Sequence, residues 1–100
     1  MATMTFDDVF AKLARIVGDA MRVDASTVTP ETNLIYDLGA ESIDLVDIRF
    51  RIEAAFGFQI DQRAFILAIA GEVPGGDVTG MLTMRRVTDF VLRQNGREAM

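Results

Sequence analysis

The sequence predicts an all-α protein, a bundle of four helices with one long ordered loop. Three observations favour this class. Apolar residues recur every three or four positions in several segments, as they do on one face of a helix. Clusters of turn-forming residues separate these segments. Half of the 100 residues are hydrophobic, which is enough for the core of one domain, and we place that single domain over residues 1–100.

The helices are predicted at about residues 5–21, 42–56, 61–70 and 83–94, followed by a flexible tail over residues 95–100. Thr5 stands in N-cap position, with Asp8 three residues later as in a capping box. Asp61 and Thr83 are the expected N-caps of the last two helices. Gly57 is the residue type that commonly ends a helix.

Two connections are longer than the rest. Residues 22–41 are rich in turn formers, yet aliphatic residues such as Val28 and Leu34 recur among them. A disordered linker would not carry so many aliphatics, so we predict a loop that is pinned to the core. Residues 71–82 contain Pro74 and several glycines, which predicts a loop. We expect this loop to form a lengthened segment before the last helix.

Composition excludes several classes of function. The chain contains no histidine and no cysteine, so it lacks a Ser-His-Asp triad and thiolate metal sites, and we expect neither catalytic residues, nor a metal, nor an enzyme. The net charge of −5, without a clustered basic surface, argues against nucleic-acid binding. We find no apolar run long enough for a membrane span and no secretion signal. We therefore expect a cytoplasmic protein, and a monomer.

The segment 42–56 carries two apolar stripes on a helical wheel. The first stripe comprises Ile43, Val46 and Phe50; the second comprises Ile48, Ile52 and Phe56. A small bundle normally buries one stripe of a helix. Either this helix is central, or one of its stripes is exposed for a partner.

Ser42 opens this segment, directly after the acidic turn Asp37-Leu38-Gly39-Ala40-Glu41. By itself, a serine at a helix start is an N-cap, which contributes about 1 kcal/mol. In this setting, however, the stretch resembles the attachment motif of acyl carrier proteins, whose usual form is Asp-Ser-Leu after an Asp-Leu-Gly turn. The resemblance covers most of the chain and implies the acyl-carrier four-helix bundle. It also implies that Ser42 carries 4′-phosphopantetheine through a phosphodiester, with an acyl group held as a thioester on the terminal thiol.

The same resemblance implies the partners. A phosphopantetheinyl transferase that uses coenzyme A and magnesium would load Ser42, and acyl-handling enzymes such as a ketosynthase and an acyltransferase would use the acyl chain cargo. It further implies that the second stripe is buried and that the first is shown to partners. The expected partner-binding residues are Glu41, Ile43, Asp44, Val46, Asp47 and Phe50.

The sequence departs from the family pattern in three ways. Glu41 replaces the usual aspartate and Ile43 the usual leucine, which argues against recognition by a general-purpose transferase and leaves room for a dedicated one. Arg49 and Arg51 interrupt the acidic helix, either as solvated i,i+4 partners of nearby acids or in another role. The stretch 64–82 is longer than in ordinary fatty-acid carriers. In this extension the chain is similar to the branch of the family that is dedicated to long acyl chains for lipid A.

Two alternatives to an acyl carrier of fatty acid or lipid biosynthesis stay open. The cargo could be a peptidyl or polyketide intermediate. In the other alternative, the chain is a helical interaction domain without a prosthetic group. Ser42 would then be only a cap, and the exposed stripe would bind a partner helix.

Overall fold

The structure, a computed structural model, describes residues 4–61, 63, 65 and 82–98. Within these ranges it contains three α-helices, namely α1 (Phe6–Met21), α2 (Ser42–Phe56) and α3 (Met84–Glu98). A short 3₁₀-helix, Ala25–Thr27, lies in the first loop. The same ranges hold no β-strand beyond one isolated bridge. The predicted all-α class is therefore confirmed.

The helix ends follow the local signals in the sequence. Thr5 caps α1 as predicted, because its hydroxyl accepts the Asp8 N–H at 3.2 Å while the Asp8 carboxylate accepts the Thr5 N–H at 3.1 Å. Gly57 ends α2 in the left-handed conformation, with φ of 80°. Thr83 caps α3 by accepting the Arg86 N–H at 3.4 Å.

Of the last two predicted helices, the structure gives the bounds of one. The prediction for residues 61–70 falls largely outside the described residues, although Arg63 and Phe65 have helical backbone and the Asp61 side chain accepts the Arg63 N–H at 2.8 Å. Helix α3 continues to Glu98, beyond the predicted end at residue 94 and into the predicted tail. Asn95 and Gly96 are weak helix formers, but such propensity is a weak guide to where a helix ends.

One hydrophobic core joins the three helices, with α1 packed against both α2 and α3. Each helix turns a stripe of fully buried side chains inward; these are Val9, Leu13 and Val17 of α1, Ile48 and Ile52 of α2, and Met84, Val87 and Val91 of α3. Phe65 is also fully buried and packs edge-on against Phe90, with 5.1 Å between ring centroids. No helix in the described part of the chain is long and apolar enough to cross a membrane.

The first loop is pinned to this core, as predicted. Val28, Leu34 and Ala40 are buried. The loop also pairs with the start of α3, since the Leu34 N–H donates to the Leu82 carbonyl at 2.9 Å and the Met84 N–H donates to the Thr32 carbonyl at 2.9 Å. This pairing fixes the loop just before it reaches α2.

An ion pair reinforces the same junction. The Arg85 guanidinium donates to the Glu31 carboxylate at 2.7 Å and lies 5.7 Å from the centroid of the Phe6 ring. The hydrogen bond from Arg85 lowers the pKa of Glu31 below its usual value. Because both side chains are more than half exposed, solvent screening leaves this pair a small share of the stability.

Candidate functional site

A buried asparagine organises the turn that leads to α2. Asn33 is 6% exposed, and its side-chain oxygen accepts the Ile35 N–H at 2.8 Å and the Tyr36 N–H at 2.9 Å. The Asp37 carboxylate in turn accepts the Asn33 N–H at 2.7 Å. The aspartate of the Asp-Leu-Gly stretch therefore holds the turn together.

The turn closes on itself one step later. The Gly39 N–H donates to the Ile35 carbonyl at 2.9 Å, and the Ala40 N–H donates to the Leu34 carbonyl at 2.9 Å. Gly39 has φ of 71°, a left-handed conformation that glycine adopts without strain. A Cβ built at Gly39 would meet no atom within 4 Å, so the backbone conformation, and not lack of space, favours glycine here.

Helix α2 begins at Ser42, but its N-cap is Glu41, so the interpretation of Ser42 as a cap is wrong. Glu41 has the extended backbone of a cap residue, and its N–H donates to the Asp44 carboxylate at 2.8 Å. Ser42 is instead the first residue of the helix and is exposed. Within the described residues, its hydroxyl makes no hydrogen bond. Capping by its neighbours thus leaves the Ser42 oxygen available.

The surroundings of Ser42 fit an attached phosphate group. The amides of the first helical turn have no acceptor within the helix, and the positive end of the helix dipole favours an anion there. The carboxylates of Glu41 and Asp44 lie nearby in sequence, but Asp44 is engaged with the Glu41 N–H. The described residues include no cluster of acids that could hold a metal ion. The chain also has no histidine or cysteine that could act as a general base for Ser42.

The second stripe of α2, which we call its inner stripe, is buried almost as predicted. Ile48 and Ile52 have no exposed surface, which confirms their assignment to the core. Phe56 differs, because it is only half-buried at the end of the helix. Its ring lies 6.3 Å from that of Phe58 and 5.6 Å from the Lys12 ammonium, so it covers the rim of the core and does not fill its centre.

The first stripe of α2, which we call its outer stripe, is largely open to solvent. Ile43 is 73% exposed and Phe50 is 55% exposed, as predicted. Val46 between them is half-buried, which is less exposure than the sequence suggests. Among the predicted acidic contact residues, Glu41 and Asp47 are exposed and Asp44 is half-buried. We call Ile43, Val46 and Phe50, with these three carboxylates, the outer face of α2.

The two arginines of α2 have different roles. Arg51 pairs with Asp47 at 3.1 Å on the surface, as the i,i+4 spacing predicts. Arg49 instead contacts the segment that follows the helix, while its guanidinium also lies 4.5 Å from the centroid of the Phe50 ring. Its guanidinium donates to the Ile60 carbonyl at 2.8 Å and pairs with Glu53 at 3.4 Å, while Glu53 accepts the Ile60 N–H at 2.5 Å. Arg49 and Glu53 thus hold both backbone groups of Ile60, a contact that helical spacing could not reveal.

One exposed residue was missed by sequence reasoning. Tyr36 lies in the turn before Ser42 and is 66% exposed. A lone tyrosine within a polar loop carries no periodicity, and the neighbouring aliphatic residues of the loop are more buried. Its exposure emerges only from the hydrogen bonds that shape the turn.

Comparisons with known proteins agree with this geometry. Residues 11–69 match the family described as the phosphopantetheine attachment site. A relative from Thermotoga maritima named acyl carrier protein is 44% identical over 55 residues, which cover 55% of this chain and 68% of that protein. An acyl carrier protein AcpXL from Brucella melitensis is 39% identical over 66 residues, which cover 65% of this chain and 71% of that protein.

Two further similarities extend over nearly the whole chain. An acyl carrier protein from Rubrobacter xylanophilus is 30% identical over 89 residues, which cover 89% of this chain and 94% of that protein. The solved structure of an acyl carrier protein from Enterococcus faecalis superposes with a TM-score of 0.59 at 24% identity, covering 90% of this chain and 98% of that chain. At this identity the structural match supports the fold.

Proposed function

This chain belongs to the acyl carrier protein family, and on that premise we propose that Ser42 is the residue that bears its 4′-phosphopantetheine group. The observation that carries the proposal is the exposed Ser42 hydroxyl at the first position of α2, which makes no hydrogen bond to the described residues. Ser42 also lies within the residues that match the family. Family membership argues against a helical interaction domain that has no prosthetic group.

The chain acts as a carrier, and its residues have limited tasks. When bound, the prosthetic group supplies a terminal thiol to which an acyl group is joined as a thioester. Ser42 provides the oxygen that anchors the group, and the first turn of α2 favours the attached phosphate. The Asn33–Asp37 hydrogen bonds hold the preceding turn, so that Ser42 is presented in one position. Loading, acyl transfer and acyl extension belong to separate enzymes.

We place the partner contacts on the outer face of α2. Ile43 directly follows Ser42 and Phe50 lies about two helical turns further on, and both offer exposed apolar surface. The carboxylates of Glu41, Asp44 and Asp47 are interspersed along the same segment. Such a face fits enzymes with a basic docking surface, because charge complementarity steers association and selects partners. The partners are a phosphopantetheinyl transferase and acyl-handling enzymes of the ketosynthase and acyltransferase classes.

A more specific proposal concerns the cargo. We propose that this protein carries long acyl chains for lipid A. It is supported by the relatives named AcpXL and by the long stretch 64–82, which lies largely outside the described residues. Intact-mass analysis of the protein isolated from its own host tests this directly. A long acyl chain on the prosthetic group is the expected result, and a short chain or none would contradict it.

The attachment itself has a matched control within the chain, because Ser26 and Ser42 are its two serines. Both are exposed, and the Ser26 hydroxyl donates to Asp24 at 2.8 Å. Incubation with a phosphopantetheinyl transferase, coenzyme A and magnesium should add one prosthetic-group mass to the wild type and to Ser26→Ala. Ser42→Ala should gain nothing. Modification of Ser42→Ala, or a wild type that stays unmodified with the transferase of its own host, would refute the proposal.

A further inference from the structure

We infer that Tyr36 is a contact residue for the phosphopantetheinyl transferase that loads Ser42, so that the partner surface continues from α2 onto the preceding turn. This inference rests on the proposed attachment at Ser42. It adds a loop residue that neither helical spacing nor the attachment motif indicates.

Exposure is the first observation. Among the described residues, three large hydrophobic side chains are exposed, namely Tyr36 at 66%, Ile43 at 73% and Phe50 at 55%. Two of them lie on the outer face of α2, and the third comes from the turn. Tyrosine is enriched in interfaces because it offers a large contact area and loses little conformational entropy on binding.

The backbone of Tyr36 is held in place. Its N–H donates to the buried Asn33 side chain at 2.9 Å, and the Ala40 N–H closes the turn onto the Leu34 carbonyl at 2.9 Å. Ser42 follows Ala40 by two residues, which span at most about 7 Å of extended chain. Tyr36 therefore sits on a fixed turn whose closed end is adjacent to the attachment residue.

The charge around Tyr36 identifies the kind of partner. From Tyr36 to Asp47 the chain has four acidic residues and no lysine or arginine. The next cation, Arg49, bonds to Ile60 and Glu53 and lies 4.5 Å from the centroid of the Phe50 ring, at the end of the outer face that is far from Ser42. The segment from Tyr36 to Asp47 thus combines exposed apolar side chains with acidic residues, which fits an enzyme whose docking site is apolar at its centre and basic at its rim.

The chemistry at Ser42 favours the transferase among such enzymes. Loading joins the Ser42 oxygen to the phosphorus of the phosphopantetheine half of coenzyme A. The pyrophosphate bond breaks, adenosine 3′,5′-bisphosphate leaves, and the serine proton is lost. The transferase must therefore reach the Ser42 oxygen itself and cover its surroundings. Enzymes that act on the distant thiol reach it through the prosthetic arm and can dock further along α2.

A competition experiment measures the contribution of Tyr36. Wild type and Tyr36→Ala are mixed with coenzyme A, magnesium and a limiting amount of a transferase that loads the wild type, and intact mass gives the ratio of their kcat/KM values. Tyr36→Ala should load roughly tenfold more slowly, the loss expected when an interface aromatic is truncated. Tyr36→Phe should stay within about twofold of wild type, as should Arg15→Ala on the exposed surface of α1.

A binding measurement separates docking from chemistry. In the Ser42→Ala background no transfer can occur, and Tyr36→Ala should lower the affinity for the transferase by a similar factor while helicity and the thermal midpoint stay unchanged. Equal loading and equal affinity for Tyr36→Ala and wild type would overturn the inference about Tyr36, but not the attachment at Ser42. Addition of the prosthetic-group mass to Ser42→Ala would instead refute the attachment at Ser42.

Discussion

Helices α1 and α2 are similar in length but treat their apolar residues differently. In α1 the fully buried residues Val9, Leu13 and Val17 form one stripe, and the helix exposes no large hydrophobic side chain. In α2 the buried residues Ile48 and Ile52 are matched by an exposed stripe on the other side. Exposed apolar patches are typical of interaction sites, which supports the partner contacts that we propose for the outer face of α2.

The comparison also applies within α2 itself. Its inner stripe packs into the hydrophobic core, as the stripe of α1 does. Its outer stripe is open to solvent and begins with Ile43, directly after Ser42. If this division is right, substitutions on the two sides of one helix should separate stability from partner recognition.

The largest expected effect is at the inner stripe. Ile48→Ala should destabilise the protein by about 2–5 kcal/mol, because it removes buried methylene groups and leaves a cavity. Phe50→Ala on the same helix should cost less than about 1 kcal/mol, because that side chain is more than half exposed. Urea denaturation of the two variants measures the difference. Equal losses would mean that both stripes belong to the core.

The turn before Ser42 should come next. Asn33→Ala removes an acceptor for the Ile35 and Tyr36 N–H groups in a buried place, and we expect a loss of about 1–3 kcal/mol. Thr29→Ala, which alters an exposed part of the same loop, is the control and should cost less than about 1 kcal/mol. Thermal or urea unfolding that does not distinguish the two variants would show that Asn33 does not organise the turn.

The two arginines of α2 offer the smallest of these contrasts. Arg49→Met should cost about 1–2 kcal/mol, because it breaks the charged contacts to Glu53 and Ile60 in a partly buried place. Arg51→Met breaks only the exposed pair with Asp47 and should cost less than about 0.5 kcal/mol. Denaturant unfolding of both variants is the check, and a larger loss for Arg51→Met would contradict the assigned roles.

Most of the helical framework could be predicted from the sequence because it depends on local signals. Thr5 with Asp8 set the start of α1, and Gly57 set the end of α2. The two stripes of α2 followed from helical spacing alone. The all-α class needed only the periodicity of the apolar residues.

The features that sequence could not supply depend on contacts between distant segments. Nothing local distinguishes Asn33 from the other polar residues of its loop, since its burial results from the pairing with Thr83 at the start of α3. Arg49 was expected among the charges of a helix face, but its guanidinium bonds to the Ile60 carbonyl and lies over the Phe50 ring. Ser42 was expected to cap α2 when considered alone, but Glu41 takes that position, and its N–H donates to the Asp44 carboxylate.

The most direct test of the division within α2 is a paired measurement on Phe50→Asp. The variant should keep wild-type helicity and a free energy of unfolding within about 1 kcal/mol, since the side chain is 55% exposed. Its binding to a partner enzyme, such as the transferase that loads the wild type, should weaken roughly tenfold or more, because a charge replaces an apolar contact. Unfolding of Phe50→Asp, or unchanged partner binding in a folded variant, would contradict the account.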